Sequence, residues 1–81
     1  MKFYNALSDF LYDKNYFITL FENKIHVFRY VQLLKLDSEE IVLGMADFKL
    51  TVVGSELIIS QMNSEEIIIQ GNITEIRKIY E

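Results

Sequence analysis

His26 and a few carboxylates are the side chains best suited to proton transfer or metal binding in these 81 residues, which contain no cysteine and no tryptophan. Acid–base catalysis needs two titratable groups whose surroundings push their proton affinities apart. Glu39-Glu40 and Glu65-Glu66 are neighbours in polar turn sequences, where water keeps both members of each pair ionised. His26 stands between Ile25 and Val27 in a strand-like stretch, with no thiol to activate and no serine in a nucleophile elbow. A cation site made from Asp37, Glu39, Glu40, Glu65 and Glu66 requires their turns to converge, and the glycine-containing loop of alternating oxygen ligands that calcium favours is missing. Gly44, Gly54 and Gly71 are isolated, so they read as turn or bulge formers and not as a phosphate-cradling loop. The expectation is a protein that is not an enzyme and uses no cofactor and no metal.

The elements that would position these groups are short strands. Three polar turns each feed a burst of branched apolar residues: Asp37 to Glu40 before Ile41-Val42-Leu43, Gly54 to Glu56 before Leu57-Ile58-Ile59, and Asn63 to Glu66 before Ile67-Ile68-Ile69. Period-two alternation starts at Tyr16, turns at Glu22-Asn23-Lys24 and resumes over Ile25 to Phe28, which predicts a hairpin. Further strands are expected near 31–36, 40–45, 48–53, 56–61, 66–70 and 73–79. Connections of two to four residues cannot make parallel crossovers, so neighbours in sequence should pair antiparallel. The fold class is therefore mainly β: about eight short strands in an antiparallel meander, with a compact β-solenoid as the alternative. Ahead of them, Phe3, Leu7, Phe10 and Leu11 fall at helical spacing, which predicts an amphipathic helix over about residues 2–13. The chain then divides into an N-terminal helical segment, 1–15, and a β domain, 16–81, within one structural domain.

Composition excludes several partners. The net charge is −4, and apart from Arg77-Lys78 the eight basic residues are scattered. Nucleic acid is not expected, because phosphate affinity needs clustered Lys and Arg that release counterions together. No apolar run approaches the roughly 20 residues of a transmembrane helix. Asp9 and Asp13 lie where a signal peptide would have its apolar stretch, and the absence of cysteine removes disulfides; a cytoplasmic location is expected.

The alternation is imperfect in an informative way. Val53 falls opposite Phe48, Leu50 and Val52; Ile58 opposite Leu57 and Ile59; Ile68 opposite Ile67 and Ile69. Strands that are apolar on two sides need both covered, by the helix, by a sheet that folds over or by another chain. Val53, Ile58 and Ile68, with Phe3, Leu7 and Phe10 of the helix, are the candidate interface. Ile67-Ile68-Ile69 is also the most aggregation-prone window, flanked by Glu65 and Glu66 as gatekeepers.

The run from Phe48 to Gly54, then Glu56-Leu57-Ile58-Ile59, then Glu65-Glu66-Ile67-Ile68-Ile69-Gln70-Gly71-Asn72-Ile73-Thr74-Glu75-Ile76, resembles the YabP/YqfC family of sporulation proteins. The likeness covers roughly residues 16–81 and is strongest after Leu33; it departs at Asn15-Tyr16-Phe17 and Arg29-Tyr30-Val31, where such proteins carry other residues. The resemblance implies a non-enzymatic protein made during endospore formation, in the mother-cell cytoplasm. The doubly apolar strands add the expectation that it binds itself or another sporulation protein, membrane-associated ones included, through an apolar sheet face or an edge strand. Two competing readings remain: a small-ligand domain with a pocket lined by Tyr16, Phe17, Phe21, Phe28 and Tyr30, and an enzyme with a cleft joining His26 to a carboxylate.

Overall fold

A computed structural model describes residues 16–80. They form six strands: β1 (Phe17–Phe21), β2 (Lys24–Phe28), β3 (Gln32–Leu36), β4 (Glu40–Gly44), β5 (Phe48–Met62) and β6 (Glu66–Tyr80). All pairings are antiparallel, in the order β1-β2-β6-β5-β4-β3. The mainly-β antiparallel expectation holds, but the meander is broken once: β2 and β3, consecutive in the chain, do not pair, and β2 lies beside β6 instead. The solenoid is not supported, and the N-terminal helix lies outside the described residues.

The expected eight strands are six, because two presumed turns are not turns. Gly54-Ser55 and Gly71-Asn72 lie inside β5 and β6, strands of fifteen residues each. They face one another across the ribbon, Gly54 opposite Ile73 and Ser55 opposite Asn72, with register shifts on both sides. The glycines therefore mark a bend in a continuous hairpin, where bulges raise the local twist without reversing the chain.

That bend folds the sheet onto itself. β2 pairs only with the first part of β6, and β4 only with the first part of β5. In a flat sheet β2 and β3 would stand four strand spacings apart, about 19 Å. Yet residues 29–31 alone connect them, a link whose reach is at most about 14 Å. The two halves must face each other: β1, β2, the start of β6 and the end of β5 on one side, β3, β4, the start of β5 and the end of β6 on the other. A single core unites them, with Ile25, Val27, Ile67 and Ile69 from the first half and Ile41, Leu43, Leu50 and Val52 from the second all fully buried. At the open end of the fold Tyr16 packs edge-on against Phe48, ring centroids 5.3 Å apart, and the Lys78 ammonium donates to the Tyr16 hydroxyl at 3.1 Å. The connection is fixed there too, since the Tyr30 hydroxyl donates to the Asn63 carbonyl and the Val31 amide to that of Gly44, each at 2.7 Å.

The turns of the two outer hairpins hold the bend. At the β3–β4 turn, Ser38 and Glu39 offer carbonyls to the amides of Leu57 and Gly54, at 2.8 and 3.1 Å; at the β1–β2 turn, Asn23 accepts from Gly71 at 3.0 Å. Backbone groups freed by the bulges are thereby satisfied, as burial demands. At the opposite end, the Asn63 side chain accepts from the amides of Glu65 and Glu66 and closes the β5–β6 turn.

Candidate functional site

Burial along each strand separates core from surface. Leu57 and Ile59 point inward while Ile58 between them is 55% exposed; Ile67 and Ile69 are fully buried while Ile68 is half-buried; Val53 is half-buried beside buried Val52. The second-face positions expected at Val53, Ile58 and Ile68 thus lie on the outside of the folded sheet. Ile58 sits opposite Gln70 and Ile68 opposite Gln61, so these two isoleucines are diagonal neighbours on the outer face of the first half. Val53 belongs to the second half, between Glu40 and Glu75, and is not part of that pair. Phe3, Leu7 and Phe10 lie outside the described residues.

Folding the sheet leaves open flanks. Among the described residues, β5 past Glu56 and β6 past Gly71 each have a strand on one side only, as do β1 and β3. β3 is shielded by a register shift at Leu34 and by Lys35, which pairs with Glu40. That hydrogen bond and the nearby carboxylate hold the Lys35 proton above the ordinary lysine range. β6 presents Glu75 and Arg77 on the outer face, where the guanidinium Nε donates to Glu75 at 2.6 Å and the Arg77 pKa is raised. The signal for this pair in the sequence is the acid–apolar–base order of Glu75-Ile76-Arg77, which puts both charges on one strand face.

Among the described residues, His26 and its carboxylate partner lie on a sheet surface, outside the cleft at the β4–β5 turn. His26 Nε2 lies 2.8 Å from Glu66 Oε1, both side chains partly exposed on the outer face of the first half. Among the described residues no three His, Asp or Glu side chains cluster as metal ligands. A surface cleft of about 230 Å³ opens near the β4–β5 turn, lined by Val31, Leu34, Met45, Asp47, Phe48 and Lys49 among others. Small-molecule sites usually exceed roughly 300 Å³. None of Tyr16, Phe17, Phe21, Phe28 and Tyr30 lines this cleft. Tyr16 is buried against Phe48, Phe21 projects 66% exposed at the β1–β2 hairpin, and the Arg29 guanidinium lies over the Phe28 ring.

The model of the YabP family matches residues 15–79, spanning all six strands but for the last residue of β6. The chain belongs to the YabP family. Comparison with curated proteins and with solved structures gave no match. The match includes both glycines of the bend and the Ile67-Ile68-Ile69 strand, so the features that fold this YabP-family domain and those that give it exposed apolar positions lie within one module. Among its described residues no helix is long and apolar enough to cross a membrane.

Proposed function

We propose that this YabP-family domain is a non-enzymatic assembly protein of endospore formation, acting in the mother-cell cytoplasm by contacts with other proteins. One observation carries the reading: Ile58 lies exposed in mid-strand, next to half-buried Ile68, on a part of β5 whose far side no described strand covers. An apolar side chain beside unpaired backbone groups is the arrangement that strand-adding and face-packing partners use. Family membership supports the process, and the open cleft at the β4–β5 turn, about 230 Å³ and below the usual small-molecule size, favours a protein partner over a small ligand. The partner is a second copy or another sporulation protein, membrane-associated ones included.

Deleting the gene in its spore-forming host tests the proposal. The expected result is a loss of heat-resistant spores that the wild-type gene restores. Normal spore yield and morphology after deletion would overturn it.

A further inference from the structure

We propose that two copies of this chain join edge to edge through the last part of β6, with the two-fold axis at Ile76. The inference rests on the reading that the domain works through protein contacts, and it names one contact and its register. Past Gly71, β6 is paired to β5 from Ile73 to Tyr80 and has no other strand beside it among the described residues. Charged residues on an edge usually blunt such pairing. Here their spacing does the reverse.

Val52 faces Ile76 on the inner side of the sheet, while on the alternate face Val53 is opposite Glu75, and Thr51, itself buried, is opposite the half-exposed Arg77. An antiparallel partner centred on Ile76 sets Ile76 against Ile76, and Glu75 of each copy against Arg77 of the other. Directly opposed residues share a face, so the four charges form one alternating cluster outside and the two isoleucines meet inside. The carboxylate and guanidinium are already ordered by their own hydrogen bond, with both side chains half exposed. Other registers are penalised. Moving the axis to Glu75 or to Arg77 opposes like charges, and a pairing of odd offset sets inner positions against outer ones. The four strands of the second half-sheet then continue into those of the second copy, and an open flank becomes an interior one. A C2 contact of this kind is self-complementary and closed.

Sedimentation velocity over a concentration series tests the contact with three proteins. The wild type is expected to dimerise reversibly, and more weakly as salt rises. Glu75→Arg and Arg77→Glu each place like charges opposite one another twice over, and each should raise the dissociation constant by about tenfold or more. Both substitutions are exposed, so both variants should melt close to the wild type, which controls for folding. An equimolar mixture of the two variants should restore a one-to-one dimer, because the reversed charges then meet their opposites. A wild type that stays monomeric throughout, variants that dimerise as well as the wild type, or a mixture that fails to associate would each overturn the proposal. Those results leave the assembly reading intact, since that reading is decided by the spore phenotype.

Discussion

The carbonyl oxygen of Asn72 lies 2.2 Å from where a Cβ on Gly54 would stand, so backbone from β6 occupies the space that any side chain at position 54 would need. Across the ribbon, Gly71 has φ +146°, and a Cβ there would come within 2.7 Å of the Glu56 carbonyl oxygen. These two close approaches let a hairpin of two fifteen-residue strands bend sharply enough to bring its halves face to face.

Gly54→Ala and Gly71→Ala are therefore expected to destabilise the domain by about 2 kcal/mol or more each, through backbone displacement and strain. For a domain of this size that lowers the melting temperature by roughly 10 °C or more. Gly44→Ala, whose added Cβ would meet Leu34 at an ordinary 3.4 Å, should have a much smaller effect. Thermal denaturation followed by circular dichroism checks the order; equal shifts at positions 44 and 54 would show that the bend does not depend on glycine.

The three consecutive isoleucines should separate by face. Ile67→Ala and Ile69→Ala remove fully buried side chains from the joint core and should each cost about 2–5 kcal/mol. Ile68→Ala, on the half-buried outer face, should cost about 1 kcal/mol. Urea denaturation of the three variants reads this directly, and an Ile68→Ala midpoint as low as that of Ile67→Ala would contradict the assigned faces.

The pair formed by His26 and Glu66 is a surface contact, and such pairs contribute about 0.2–1 kcal/mol. His26→Gln should lower stability by no more than that and should support normal sporulation. A folded His26→Gln protein that fails in the host would instead return the enzyme reading to consideration, with His26 at its centre.

Local patterns in the sequence carried the strands, their antiparallel sense, and which of Ile67, Ile68 and Ile69 faces away from the core, because alternation reports faces without reference to distant partners. The bend was not legible. Gly54-Ser55 and Gly71-Asn72 have the composition of turns, and only their alignment across the hairpin, 17 residues apart for Ser55 and Asn72, turns two reversals into one shared kink. The placement of β2 beside β6 escaped for the same reason, since nothing local to residues 29–31 reveals which strands they bridge. Among the described residues, the aromatics expected to line a pocket split between core and surface: Tyr16 packs in the core against Phe48, and Phe21 lies at an exposed hairpin end. His26 did meet a carboxylate, but on an outer sheet face and away from the cleft.

Complementation of the deletion strain by a surface variant that keeps the fold, Ile58→Glu with Ile68→Thr, tests most directly whether the outer isoleucines are there for a partner. With a melting temperature no more than about 8 °C below the wild type, as the loss of half-buried Ile68 entails, this variant is expected to leave heat-resistant spores at the level of the deletion. Spore counts equal to those given by the wild-type gene would contradict the account.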